Sequence, residues 1–342
     1  MMVMALIMPN AVYASSSEGG DGDLAIKEII FHHLGDGYGW EVPFSHHHRI
    51  PLPVIVKDCN GEWHCFSSAR VSNGETYEGF YISHGEEYSG KIVGIDANGN
   101  VYRPLDFSIT KNVLALFISL LLVIVCVMSV ARWHRRNGAK APRRGLGAIE
   151  ALIEFVYNGV IKSTLKDKAT RFAPYLLTVF FFIFGMNLLG LIVIFPGGAN
   201  LTGNVAVTLV LATLTFLMTN IYGTKHYWKD IFWPDVPLWL KFPLPIMPII
   251  EIFGMFTKPA ALTVRLFANM MGGHMIVIVL TMLIFIFAPM GAGVAGATTV
   301  VSVIFSIFML LIDVLVSFIQ AYVFTMLSTI FISLAQENPH HE

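Results

Sequence analysis

The sequence predicts an all-α, multi-pass membrane protein whose N-terminal part is a small extracytoplasmic segment with some β structure. Of its 342 residues, 55% are hydrophobic and 13% are charged, whereas soluble proteins have roughly 25% charged residues. The charges are also uneven, because residues 1–171 carry 34 of the 45 Asp, Glu, Lys and Arg. This composition excludes an ordinary soluble domain, a disordered chain and a disulfide-rich secreted module. The net charge of −1 argues against nucleic acid as a partner.

Five apolar stretches are long enough to cross a bilayer, which requires about 20 residues of helix. Pro and Gly residues at 196–203 and 288–297 separate stretches that would otherwise run together. The five lie near residues 112–131, 172–195, 204–224, 245–287 and 298–335. The last two are longer than a perpendicular span requires, so we expect them to be tilted and to form a hairpin.

The Lys and Arg residues predict the side of the membrane on which each loop lies. They are concentrated after the first span and, in smaller number, after the third, whereas the turns at 196–203 and 288–297 have none. Because positive loops stay in the cytoplasm, we expect five membrane helices with the N-terminus outside and the C-terminus cytoplasmic. Between the first two spans, apolar residues at helical spacing predict an amphipathic helix on the cytoplasmic surface: Ile149, Leu152, Ile153, Val156 and Val160.

Residues 1–14 are typical of a signal peptide. A short apolar run ends in the small-residue cleavage pattern Val12-Tyr13-Ala14, although the usual positive charges are missing. We therefore expect residues 15–105 to form the extracytoplasmic segment and residues 106–342 to form the membrane domain.

A hairpin is predicted within the extracytoplasmic segment. The stretch VIVKDCNGEWHCFS alternates around the turn signal Asn60-Gly61. Cys59 and Cys65 flank this turn, and an oxidising compartment would permit a disulfide between them. We expect this disulfide, with two free thiols as the alternative.

Two motifs predict no site. The glycine pattern at 291–296 matches a dinucleotide-binding motif, but it joins two membrane helices and does not lie in a βαβ unit. A group of histidines lacks a Cys or carboxylate framework at zinc-ligand spacing, so we expect a solvated loop: His32, His33, His46, His47 and His48. No metal and no cofactor are expected.

Ionisable residues inside the predicted spans are the main functional signal, because they are costly there and commonly mark ion pathways. Glu251, Lys258 and Arg265 are seven residues apart and therefore lie along one stripe of a helix. Asn269 lies one turn beyond Arg265 on nearly the same face. For Glu251 and Lys258, near the cytoplasmic end, snorkelling to the interface is as good an explanation as a role in proton translocation.

Folding the last two helices into a hairpin matches four polar residues in two layers. Arg265 and Gln320 each lie about 33 Å from the turn, and His274 and Asp313 lie about 20 and 22 Å from it. His and Asp can each exchange a proton near neutral pH once they are paired, whereas Arg stays protonated. The alternative for His274 and Asp313 is a packing role, and the alternatives for Arg265 are packing and pairing with lipid headgroups.

These polar residues lie in segments that resemble the a subunit of the rotary ATP synthase membrane sector. The resemblance covers about residues 105–337, and its most specific part is Arg-Leu-Phe-Ala-Asn at 265–269. It is carried by three segments, at 184–192, 251–274 and 313–324. Family members have a titratable pair at the positions of His274 and Asp313. The long N-terminal segment goes beyond the core family pattern and resembles versions from some Gram-negative lineages.

The resemblance implies a non-catalytic stator of a proton channel in the bacterial inner membrane. Its partners would be a ring of c subunits, the b subunits of the peripheral stalk and the lipid bilayer. Protons would enter from outside through a half-channel lined by His274, Asp313, Asn269 and Gln320, reach a ring carboxylate, and leave through a cytoplasmic half-channel. Arg265 would lie between the two paths, lower the pKa of the facing carboxylate and block direct leakage.

Two other classes of function fit the composition less well. A proton-coupled secondary transporter would have inverted repeats and broken helices at matching positions, and the sequence has no such symmetry. A membrane-embedded enzyme would need a metal cluster or a nucleophile and base within the spans. His274 and Asp313 would supply only half of such a set.

Overall fold

A computed structural model of the chain describes residues 36–41, 49–59, 61–71, 75–83, 88, 90–96, 99–138, 140, 142, 145–192, 201–232, 246–287 and 292–337. The expected signal peptide at 1–14 and the five histidines at 32–33 and 46–48 lie outside these residues. The chain divides into two compact units, one formed by residues 1–35 and 274–306 and the other by residues 36–273 and 307–342.

The described part of the N-terminal segment contains short antiparallel strands that form three small sheets. Strand β1 (Gly39–Glu41) pairs with β2 (Arg49–Pro51). The second sheet has the order β4 (Trp63–Ser67), β3 (Pro53–Lys57), β8 (Leu105–Asp106), and the third has the order β5 (Phe80–Ile82), β6 (Ile92–Ile95), β7 (Val101–Tyr102). Alternate residues of the second and third sheets share one buried apolar core: Val54, Val56, Phe66, Phe80 and Ile92.

The β3–β4 hairpin contradicts the expected disulfide. Gly61, with φ +88°, takes a left-handed turn conformation that favours glycine, and Asp58 N–H donates to the carbonyl of Glu62 at 2.9 Å. The register places Cys65 opposite Ile55, so Cys59 in the turn lies roughly 10 Å further along the strand. A disulfide spans at most about 7 Å between Cα atoms. Both cysteines are accordingly free and exposed.

This register gives a direct prediction about the thiols. Maleimide labelling of unreduced, denatured protein should modify all three cysteines, because Cys59 and Cys65 are held apart by the turn and Cys126 lies in a helix. Mass spectrometry counts the added labels, and a reduced sample is the control. If only Cys126 is modified before reduction, Cys59 and Cys65 form a disulfide, and this hairpin register is contradicted.

The remainder of the described chain is mostly helical. The helices are α1 (Lys111–Asn137), α2 (Gly145–Val156), α3 (Ala169–Leu191), α4 (Val205–Ile221), α5 (Lys225–Phe232), α6 (Ile246–Phe287) and α7 (Ala292–Ala335). Within the described residues, four helical stretches are long and apolar enough to cross a membrane, or five if the pair α4–α5, bent by 104°, counts as one span. The chain is therefore a mostly helical, multi-pass membrane protein.

One of the four stretches contains more helix than a bilayer needs. It runs from Gly145 to Leu191, or 47 residues, through a π-helical turn at Tyr157–Lys162 and a break at Lys166, where φ is +47°. As a helix it would be about 70 Å long, whereas a hydrocarbon core is about 30 Å thick. Part of this stretch therefore lies outside the hydrocarbon core.

Helix α3 is central to the helical core of the second unit. Its fully buried residues recur at helical spacing and form one stripe: Phe172, Leu176, Phe180, Ile183 and Met186. Buried residues of α1, α4 and α7 belong to the same cluster, among them Ala115, Leu211 and Phe324. This packing holds the C-terminal half of α7 among the other helices of the unit.

Hydrogen bonds fasten the strands to the start of α1. The Asp36 carboxylate accepts from the backbone N–H of Asn112 at 3.2 Å, which places a negative charge at the positive end of the helix dipole. The carbonyl of Gly37 accepts from Lys111 N–H at 2.9 Å. The Tyr38 hydroxyl donates to Asp106, and burial raises the pKa of this phenol. The strands and the first membrane helix are therefore joined directly by hydrogen bonds and not by a flexible linker.

Candidate functional site

Arg265 lies on the outer surface of α6. Its helical neighbours Leu262 and Leu266 are buried, and the Thr263 hydroxyl donates to the carbonyl of Pro259 at 3.0 Å. Arg265 itself is exposed, and so is Asn269 one turn further along. Among the ion pairs of the described residues, none involves Arg265. The chain thus presents a guanidinium on the surface of a membrane helix.

Asp313 and Gln320 have the opposite placement, because they point into the protein. Their side chains are 9% and 8% exposed. Ser317 lies between them on the same stripe of α7, is buried, and donates its hydroxyl to the carbonyl of Asp313 at 2.7 Å. The expected common face of Asp313 and Gln320 is therefore a buried face of α7.

Helix α6 approaches the Asp313 carboxyl very closely at Gly273. A Cβ atom at Gly273 would lie 2.5 Å from Oδ1 and 2.9 Å from Cγ of Asp313, which is closer than van der Waals contact permits. Glycine is therefore required at this position for the carboxyl to keep its place. Gly273 was not predicted to belong to the site, although two adjacent glycines in a membrane helix permit close helix packing.

His274 follows Gly273 on α6 and is partly buried. It belongs to the first unit, whereas Asp313 belongs to the second. The pairing of these two residues therefore stays a prediction.

A small cavity lies beside Lys258. Its volume is about 20 Å³, which is enough for a single water molecule. The Lys258 ammonium lies 5.6 Å from the centre of the Phe331 ring. The lining comes from α4, α5, α6 and α7, namely Thr215, Phe216, Thr219, Asn220, Tyr227, Met255, Lys258, Pro259, Leu262, Phe331 and Leu334. This Lys258 cavity brings together polar groups that are far apart in the sequence.

Glu251 affects Tyr227, one of the residues that line the Lys258 cavity. On α5, burial raises the pKa of the Tyr227 phenol, and the negative charge of Glu251 raises it further. The Tyr227 hydroxyl donates to the side-chain oxygen of Asn220 at 3.4 Å. Lys258 lines the cavity, and Glu251 is not among its lining residues, so a shared role of the two residues stays a prediction.

A chain of buried and partly buried hydroxyls runs from this cavity into the protein. The Thr215 hydroxyl lies 3.0 Å from the Tyr175 hydroxyl and 3.3 Å from the Ser328 hydroxyl. Thr219 donates to the carbonyl of Thr215 at 2.8 Å. Thr215 and Ser328 are fully buried. These hydroxyls were not predicted to belong to the site, because each hydroxyl alone is an ordinary feature of a membrane helix.

Comparison with known proteins identifies the family. A family model described as the ATP synthase A chain matches residues 113–333. The chain belongs to the ATP synthase A chain family. The resemblance inferred from the sequence is therefore confirmed. A second family model, described as a domain of unknown function (DUF8433), matches residues 29–107.

Curated relatives agree with this assignment. The ATP synthase subunit a of Chlorobium phaeobacteroides strain DSM 266 is 38% identical over 78% of this chain and 81% of its own length. The ATP synthase subunit a of Myxococcus xanthus is 40% identical over 75% of this chain and 80% of its own length. The protein of the same name from Chlorobium phaeobacteroides strain BS1 is 36% identical over 95% of this chain and 81% of its own length.

Proposed function

We propose that this chain is the stator of the proton channel in an F-type ATP synthase and passes protons to and from the carboxylates of a c-subunit ring. The observation that carries the proposal is the exposed Arg265 on the outer surface of a membrane helix. A charge there is costly in lipid, so it needs a partner of opposite charge from another protein. A ring carboxylate is such a partner.

Arg265 would act through a charge that it keeps. A guanidinium beside a carboxylate favours the ionised carboxylate, so an arriving ring carboxyl releases its proton. Because arginine does not give up its own proton, it cannot relay protons directly between the two sides. The chain itself would make or break no bond of ATP, and ATP chemistry would belong to other subunits of the complex.

The uptake path in this proposal uses Asp313, Gln320, His274 and Asn269. Its support is the buried stripe of α7 that carries Asp313 and Gln320 and the close approach of Gly273 to the Asp313 carboxyl. A carboxyl in a membrane interior can bind and release a proton if polar groups or water reach it. His274 would be the second titratable group of this path.

The release path would begin near Arg265 and end at the Lys258 cavity. The hydroxyls of Tyr175, Thr215 and Ser328 can each donate and accept a hydrogen bond, which is the property that a proton relay needs. Lys258 and Glu251 would supply the polar mouth of the path. In this assignment all three residues of the stripe on α6, Glu251, Lys258 and Arg265, take part in proton translocation.

The proposed topology has five membrane helices, with α4 as the third span and α2 on the cytoplasmic surface. The N-terminus would lie outside and the C-terminus in the cytoplasm of a bacterium, with the protein in the inner membrane. Residues 1–14 would be a signal peptide, residues 15–105 an extracytoplasmic segment and residues 106–342 the stator. The b subunits of the peripheral stalk would be further partners.

Isolation of the chain from its native membrane tests the proposal. A c-subunit ring should copurify with the chain, and the complex should acidify vesicles when ATP is added. A chain that copurifies with no c subunit and transports a solute with protons would favour the secondary transporter instead.

Thr215→Val tests the release path, because it removes one hydroxyl and keeps the shape of the side chain. We expect ATP-driven acidification to slow several-fold, since the link between Tyr175 and Ser328 is lost. The matched control is Thr208→Val on the same helix, because Thr208 is equally buried and its hydroxyl donates only within its own helix. If the two variants acidify vesicles at equal rates with equal amounts of assembled complex, the hydroxyl chain is not part of the release path.

A further inference from the structure

The sheet formed by β3, β4 and β8 has one face that no described part of the chain covers. Neighbouring residues of a strand point to opposite sides of a sheet, and Val54, Val56 and Phe66 point into the core. The register places Trp63 opposite Lys57 and Lys57 opposite Leu105. These three residues therefore form one cross-strand row on the other side of the sheet.

The large apolar residues on this side of the sheet are strongly exposed. Trp63, Leu105 and Phe107 are 59%, 64% and 61% exposed. The rings of Trp63 and Phe107 lie 5.5 Å apart, and the Lys57 ammonium lies 5.7 Å from the centre of the Trp63 ring. Contiguous exposed apolar residues of this kind mark an interaction surface more often than scattered ones do. We call the surface formed by Lys57, Trp63, Leu105 and Phe107 the aromatic face.

The aromatic face lies close to the point where the chain enters the bilayer. Phe107 is four residues before Lys111, the first residue of α1, so the two Cα atoms are at most about 14 Å apart. Hydrogen bonds hold this connection, with Ile109 N–H donating to the carbonyl of Pro53 at 3.1 Å. The uncharged, apolar part of α1 begins at Val113. The boundary between hydrocarbon and headgroups therefore lies near the first turn of α1.

We propose that the aromatic face rests in the phospholipid headgroup layer at the N-terminal end of α1. Tryptophan is enriched at this depth because its ring is apolar and its N–H is polar. Phe107 and Leu105 would contact the acyl boundary, and Lys57 would extend its ammonium from an apolar stem to the lipid phosphates. The segment matched by the domain of unknown function would then fix the outer end of α1 at the membrane surface.

A lipid surface is favoured over a protein partner because the lipid-facing side of α1 begins next to the aromatic face. Val113 and Phe117, in the first two turns of α1, are exposed apolar residues of a membrane helix. Headgroups must surround the start of α1, and the aromatic face is fastened within about 14 Å of it. A protein partner would have to displace lipid at this position.

Spin labelling of Cys65 tests the proposal in the assembled complex in phospholipid vesicles. Cys65 lies in β4 on the same side as Trp63 and is exposed, and Cys59→Ser with Cys126→Ala leaves it as the single label site in this chain. We expect collisions with oxygen to exceed collisions with a water-soluble nickel chelate. The control label at Val101→Cys, exposed on the sheet of β5, β6 and β7, should show the opposite order.

Substitution of two residues of the aromatic face is the second part of this experiment. Trp63→Ser with Phe107→Ser should increase nickel collisions at Cys65 several-fold without changing those at the Val101→Cys label. Strong nickel collisions at Cys65 before substitution would overturn the proposal, because the face would then lie in water. Protection of Cys65 from both oxygen and nickel would also overturn it, since a protein partner would then cover the face.

Discussion

Arg265→Ala should abolish ATP-driven proton pumping by the assembled complex. The side chain lies on the exposed stripe of α6 with Asn269, and no carboxylate within the described residues forms an ion pair with it. Its charge is therefore available to a partner protein. Without the guanidinium, nothing would favour proton release from a facing ring carboxylate. The measurement is ATP-driven acidification of vesicles. We expect no detectable acidification by the variant.

The substitutions around Arg265 separate charge from packing. Arg265→Lys should also fail, because a desolvated lysine can lose its proton whereas arginine cannot. Val264→Ala changes the neighbouring exposed side chain and should pump nearly as well as the wild type. Passive proton leakage without ATP should rise in Arg265→Ala, because the barrier between the two half-channels is removed. An Arg265→Ala complex that assembles normally and pumps at the wild-type rate would refute the proposed mechanism.

The local features of this protein could be predicted from the sequence because they depend on helical spacing and on composition. The stripe of Glu251, Lys258 and Arg265 follows from the seven-residue spacing alone. The common face of Asp313 and Gln320 follows in the same way, whereas its burial is seen only in the structure. The family followed from the motif around Arg265. Each of these inferences uses residues that are close in the chain or on one helix.

The features that depend on tertiary contacts could not be predicted. Thr215, Tyr175 and Ser328 come from three helices, and only the packing of those helices brings their hydroxyls within hydrogen-bonding distance. The clash between a side chain at Gly273 and Asp313 depends on the distance between two helices. The disulfide prediction was wrong because it used the number of residues around a turn, whereas the register of β3 and β4 decides where Cys65 lies.

Asp313→Asn should strongly reduce proton pumping, because it removes the ionisable carboxyl and keeps its size and hydrogen-bonding shape. Asp313 lies on the buried face of α7, where an amide fits about as well as a carboxyl, so the complex should still assemble. The measurement is ATP-driven acidification, normalised to the amount of c-subunit ring that copurifies. Normal assembly with little pumping would indicate a role in proton uptake and not in packing.

Gly273→Ala supplies an independent test of the same carboxyl without changing Asp313. The new Cβ would meet Asp313 Oδ1 at 2.5 Å, so the carboxyl must rotate away, and an unfavourable rotamer costs about 1 kcal/mol. Alanine is otherwise the better helix former, so reduced pumping would not reflect a weaker helix. The matched control is Gly296→Ala in α7, where a Cβ meets no atom within 4 Å and pumping should be unchanged. If Gly273→Ala and Asp313→Asn both pump as fast as Gly296→Ala, Asp313 has only a packing role and the uptake path lies elsewhere.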